Sequence, residues 1–132
     1  MSSYFLYAAD DGDDRDILQD VINHGIASTR VVCVEDGYML LQHLQQIRKG
    51  ELYPCLIILD AMLPRLTGIE TLELLKTDDL YRLIPVIIFS SKLSEADRAL
   101  CEKLGAEVVD KPNNHNKWQE ILTRFNAYAD EE

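Results

Sequence analysis

The sequence predicts an α/β domain: a doubly wound, five-stranded parallel sheet in the order 2-1-3-4-5, covered by five helices. Three observations predict it. Short apolar runs, β-branched or aromatic in part, recur five times along the 132 residues. Between successive runs the apolar residues shift to helical spacing. The runs are apolar almost throughout rather than alternating, as strands buried on both faces must be.

In chain order, Tyr4–Ala9 reads as the first strand, and Ile17, Leu18, Val21 and Ile22 as the stripe of the first helix. Arg30–Val34 is the second strand. Leu40, Leu41, Leu44 and Ile47 form the second helix, expected to stop at Gly50 because glycine adopts the left-handed turn that ends helices. Cys55–Leu59 is the third strand, followed by a helix carrying Ile69, Leu72 and Leu75. Val86–Phe89 is the fourth. Ser94 with Asp97 resembles a capping box and opens a helix through Ala96, Leu100 and Leu104 before Gly105. A weak strand lies around Val108–Val109, and Trp118, Ile121, Leu122 and Phe125 stripe the last helix as core or packing face. Right-handed crossovers between parallel strands leave few topologies for this alternation. No linker, repeat or low-complexity tract divides it, so one domain over residues 1–132 is expected, with no output domain attached.

Composition excludes several partners. A net charge of −10 disfavours nucleic acid, whose phosphates are held by clustered Lys and Arg, and disfavours an anionic membrane surface. Cys33, Cys55 and Cys101 are widely spaced, without CxxC, and read as free thiols. No signal peptide pattern and no apolar run long enough to span a bilayer occur, so a cytoplasmic location is expected.

In a doubly wound sheet, ligands sit outside the carboxyl ends of the strands where the strand order reverses. The residues there are Asp10 and Asp11 after the first strand, Asp60 after the third, Ser90 and Ser91 after the fourth, and Lys111 after the fifth. Three carboxylates this close repel, so either one keeps a proton or a cation joins them. Oxygen donors with room for water suit Mg²⁺. Beside such a metal a carboxylate can act as a nucleophile and form an acyl phosphate. Lys111 and the Ser90 hydroxyl can supply positive charge and a hydrogen bond to the phosphoryl oxygens.

The segment Leu56-Ile57-Ile58-Leu59-Asp60-Ala61-Met62-Leu63-Pro64-Arg65-Leu66-Thr67-Gly68 resembles the phosphoacceptor region of response-regulator receiver domains. Asp10-Asp11 is similar to their acidic metal pair, Pro85–Ser91 to their fourth strand with its hydroxyl switch residue, and Asp110-Lys111-Pro112 to their lysine-proline. The resemblance spans almost the whole chain in order and spacing. It implies a flavodoxin-like receiver fold of the stand-alone type, a phosphoacceptor switch rather than an enzyme, working in two-component or phosphorelay signalling. A sensor histidine kinase or histidine phosphotransfer protein would phosphorylate Asp60. Asp11, Asp60 and the Met62 backbone carbonyl would ligate Mg²⁺, for which Mn²⁺ could substitute, with Asp10 acting through water. Ser90 would move onto the phosphoryl group, Lys111 would pair with it, and the Lys111–Pro112 bond would be cis. The signal would pass to an unidentified downstream protein, with self-association left open.

Duller readings stand beside these. Asp13 and Asp14 read as an acidic helix start favoured by the helix dipole. Gly12 is misplaced for an EF-hand. His24, His43 and His115 show no ligand spacing and read as solvated. A phosphatase of the haloacid-dehalogenase type wants a second Asp where Met62 stands, a flavin binder wants a phosphate loop, and a phosphorylation-independent binding module of the same fold would not need the full site. Two departures from the receiver pattern matter. Val108 occupies a switch position that is often aromatic, and valine cannot swing a ring between environments. Met62 and Lys92 flank the path of the hydrolytic water and are expected to tune phosphoryl lifetime.

Overall fold

The computed structural model describes residues 4–23, 30–112 and 115–129. Strands and helices alternate as β1 (Tyr4–Ala8), α1 (Gly12–Asn23), β2 (Arg30–Val34), α2 (Gly37–Gln45), β3 (Leu56–Asp60), α3 (Gly68–Lys76), β4 (Val86–Ser90), α4 (Glu95–Lys103), β5 (Glu107–Asp110) and α5 (His115–Ala129). The sheet is parallel throughout, in the order β2-β1-β3-β4-β5. All five residues of β1, β3 and β4 are buried, so these central strands carry no polar face and read as continuous apolar runs.

The period-two geometry of the strands divides the core in two. Leu6, Ala8, Ile57, Leu59 and Ile88 pack with Leu40 and Leu44 of α2, Leu72 and Leu75 of α3, and Cys101 of α4. Phe5, Tyr7, Ile58, Ile87 and Phe89 face the other way, onto Leu18 and Val21 of α1 and Trp118, Leu122 and Phe125 of α5. Phe89 anchors that second layer: its ring meets Trp118 edge-on at 5.1 Å and Phe125 at 5.9 Å between centroids. Aromatic pairs of this kind each add about 1 kcal/mol beyond the apolar area they bury.

Four expectations need correction. The second helix ends at Gln45, with Gln46 as its cap in a right-handed conformation. Gly50 instead takes φ +91° as the third residue of a turn closed by Glu51 N–H donating to the Arg48 carbonyl at 2.9 Å, a position that requires positive φ. Ser94 does accept from Asp97 N–H at 3.1 Å, but the reciprocal capping box lies at α3. There Thr67 accepts from Glu70 N–H while Glu70 accepts from Thr67 N–H. The Lys111–Pro112 bond is trans, as no cis peptide occurs among the described residues; trans is the lower-energy isomer for an X–Pro bond. His43 is half-buried and hydrogen-bonded to the Tyr4 hydroxyl at 3.2 Å, because the helix that carries it lies over the first strand. His24 lies outside the described residues, as do residues 130–132.

Candidate functional site at the carboxyl rim of the sheet

Register sets the site. Ala8 pairs with Leu59 and Asp60 with Phe89, while Ser90 pairs with Asp110. The residues just beyond β1, β3, β4 and β5 therefore come out at one edge. Asp60 is 5% exposed, a depth at which a charged carboxylate requires partners. It has them: Oδ1 accepts from Met62 N–H at 3.1 Å, and Oδ2 accepts from Lys111 Nζ at 2.6 Å.

Lys111 is held on three sides. Its backbone N–H donates to the Ser90 carbonyl at 3.0 Å. Its ammonium stands 5.9 Å from the centre of the Phe89 ring, and it donates to Asp14 Oδ2, also at 2.6 Å. Burial works against the lysine's charge, but hydrogen bonds to Asp14 and Asp60 outweigh it and hold the ammonium above its ordinary pKa. One cation thus bridges two carboxylates, one from the first turn of α1 and one from the end of β3. Asp14 was set aside in the sequence as a helix-start acid. Nothing local distinguishes it from Asp13; only the packing of α1 on the sheet brings it to Lys111.

The other expected residues are placed as follows. Asp10 and Asp11 are exposed. Asp11 Oδ1 accepts from Asp13 N–H at 2.8 Å and Asp14 N–H at 3.4 Å, capping α1 as a short side-chain carboxylate does. Ser90 is buried, and its hydroxyl exchanges bonds with the Lys92 backbone, donating to the carbonyl at 3.2 Å and accepting from the N–H at 3.3 Å. Lys92 itself is exposed. Met62 is 75% exposed, at the mouth of the site. Val108 is half-buried on the α2–α4 side of β5.

The donor set suits a hard divalent cation, since carboxylate oxygens and a backbone carbonyl lie on the adjoining ends of β1 and β3. The ammonium between Asp14 and Asp60 shows that this spot favours positive charge. Among the described residues no group of three acids is gathered closely enough to form a metal cage by itself. The three close carboxylates expected from the sequence, Asp10, Asp11 and Asp60, are thus not gathered into such a group: Asp10 and Asp11 stand exposed and Asp11 caps α1.

The loop after Asp60 is also tied to α2. Arg65, at φ +62°, donates through Nε to Asp36 Oδ2 at 3.0 Å and through its terminal nitrogen to the same oxygen. Asp36 is buried and caps α2 through Met39 N–H. Desolvation pushes its pKa up, but the Arg65 and Met39 hydrogen bonds more than reverse this and leave it below the ordinary value. A depressed carboxylate stabilises the fold above its unfolded pKa and loses that contribution as pH falls through the folded one. Urea unfolding between about pH 5 and about pH 3 is therefore expected to show stability declining with acid. Arg65→Met should flatten that decline; an unaltered acid limb in the variant would remove Asp36 from the account.

A buried carboxylate bridged to lysine where the strand order reverses places the chain among α/β domains that act at the carboxyl rim of a parallel sheet. Comparison with known proteins narrows this class. Residues 5–123 match the response regulator receiver domain, and the chain belongs to that family. It is 31% identical to protein PilG of Pseudomonas aeruginosa over 75% of this chain and 68% of that one. It is 33% identical to the CpxR transcriptional regulatory protein homolog of Haemophilus influenzae over 74% of this chain, and spans only 38% of that relative's length. Its fold superposes on the phosphorylated cyanobacterial phytochrome response regulator RcpA with a TM-score of 0.86, at 24% identity and covering 98% of this chain and 94% of that one. No helix among the described residues is long and apolar enough to cross a membrane.

Proposed function

We propose that this chain is a phosphorylation switch that accepts a phosphoryl group on Asp60 from a phosphohistidine, with Mg²⁺ required. The observation that carries the reading is the Asp60–Lys111 pair: a buried carboxylate at a strand end whose counter-ion is a lysine from the fifth strand's end. One Asp60 oxygen forms the new bond to phosphorus. The bond from phosphorus to the donor's imidazole nitrogen breaks, and the imidazole leaves with the electron pair and takes up a proton. Asp60, Asp11 and the Met62 carbonyl would hold the metal, with Asp10 acting through water, and the metal would neutralise charge on the phosphoryl oxygens. Lys111 pairs with the product, and the Ser90 hydroxyl, freed from Lys92, donates to it.

The donor is a sensor histidine kinase or a histidine phosphotransfer protein, and the output is a changed surface read by a downstream protein. The domain works as a switch, not as a turnover enzyme. Exposed Met62 and Lys92 border the phosphoryl group and set its lifetime. Incubation with acetyl phosphate is expected to add one phosphoryl group with Mg²⁺ and none with EDTA, with Asp60→Asn unlabelled. Labelling that survives Asp60→Asn would overturn the assignment.

A further inference from the structure

Tyr7 is a core residue with a polar tip. Its side chain lies on the α1/α5 side of β1 with Phe5 and Ala9, is 0% exposed, and packs on Phe89 at 6.3 Å between ring centroids. Its hydroxyl has no hydrogen-bond partner among the described residues. Phenylalanine would fill the same space without leaving a buried donor unsatisfied.

The surroundings of that hydroxyl point to the rim. Side chains two apart on a strand share a face, so Ala9 is the next residue towards the site, and it contributes only a methyl group. Phe89, which packs on the Tyr7 ring, also stands 5.9 Å from the Lys111 ammonium that bridges Asp14 and Asp60, and both carboxylates act on the phenol in the same direction as its burial. Burial and these carboxylates push the phenol far above its ordinary pKa, so it is a permanent donor.

At rest the neighbouring acceptors are bound to Lys111, whose Nζ stands 2.6 Å from both Asp14 and Asp60. A phosphoryl group on Asp60 brings about two negative charges and moves the oxygens that attract Lys111 outward. A lysine drawn outward with them would give up its 2.6 Å bond to Asp14. Asp14, whose side chain is 19% exposed, would then lose the cation hydrogen-bonded to it, an unfavourable state for a largely buried carboxylate.

We infer that Tyr7 is a positioning residue held in reserve: when Lys111 turns from Asp14 to a phosphoryl group on Asp60, the Tyr7 hydroxyl donates to the Asp14 carboxylate in its place. The inference rests on the phosphoacceptor reading of Asp60. It makes the phenol unsatisfied at rest and satisfied after phosphorylation, so both states bias the switch the same way.

Tyr7→Phe separates the two ends. The resting variant is expected to melt at or above the wild-type temperature. In the presence of Mg²⁺ its affinity for beryllofluoride, a phosphoryl mimic, should fall about tenfold, the worth of one hydrogen bond to a charged group. Beryllofluoride should also produce a tyrosine absorbance shift in the wild type that is missing from the variant. In an Asp14→Asn background, Tyr7→Phe should change affinity much less. Equal beryllofluoride affinity in wild type and Tyr7→Phe, or an absorbance shift that persists in the variant, would overturn the role of Tyr7. Mass spectrometry after acetyl phosphate treatment keeps the two levels apart. No uptake at Asp60 in the wild type overturns the phosphoacceptor reading and this inference with it, whereas uptake with unchanged affinity overturns only the latter.

Discussion

Gly68→Ala is expected to destabilise the domain by about 3 kcal/mol or more, lowering its melting temperature by about 10 °C, and to slow phosphoryl uptake at Asp60. Gly68 is the first residue of α3, where the helix meets the backbone of the phosphoacceptor strand. Its N–H donates to the Ala61 carbonyl at 3.2 Å. A Cβ there would lie 2.9 Å from Ala61 Cα and 3.0 Å from the Asp60 carbonyl carbon, and closer still to the Asp60 carbonyl oxygen. These are backbone atoms in a packed sheet and cannot rotate aside, so the helix must retreat. Retreat pulls on Thr67 and on the loop whose Met62 N–H orients the Asp60 carboxylate. Thermal melts and acetyl phosphate labelling check both parts. A variant melting within about 2 °C of wild type would show that the helix yields without cost.

Lys111→Met is expected to lower stability at neutral pH by about 3 kcal/mol and to remove the response to phosphorylation. Methionine can replace the aliphatic stem against Phe89, so the loss isolates the charge. Without the ammonium, Asp14 and Asp60 remain as largely enclosed carboxylates with no shared cation, a worse outcome than replacing an entire ion pair by apolar groups. The same change should tighten Mg²⁺ binding, because Lys111 competes with the metal for carboxylate oxygens in the wild type. Urea unfolding gives the first quantity, and calorimetric Mg²⁺ titration of wild type and variant gives the second. Unchanged stability together with weaker Mg²⁺ binding would mean that the bridge is not the principal charge balance of the rim.

Most of the fold was legible because the central strands are buried on both faces and so announce themselves as apolar runs, and because parallel strands restrict topology. Boundaries were less legible where local signals compete. Gly50 looks like a helix stop, yet α2 ends earlier and the glycine serves a turn. The Thr67–Glu70 capping box could have been read from the T-x-x-E spacing ahead of Leu72 and Leu75, whereas Ser94 with Asp97 has the weaker, one-sided form. His43 looked solvated because its partner, Tyr4, is distant in sequence.

For the rim, the sequence alone determined which residue types stand at the strand ends, since each of Asp10, Asp11, Asp60, Ser90 and Lys111 terminates or follows an apolar run. Pairing was decided only by tertiary structure. It made Asp11 the cap of α1, brought Asp14 rather than Asp13 to Lys111, joined Asp36 to Arg65, and left the Tyr7 hydroxyl without an acceptor among the described residues. The physical reason is that strand ends follow from local burial patterns, which a linear sequence records. Which carboxylate reaches which cation depends on how a helix rotates and settles on the sheet, and that is fixed by packing between residues far apart along the chain.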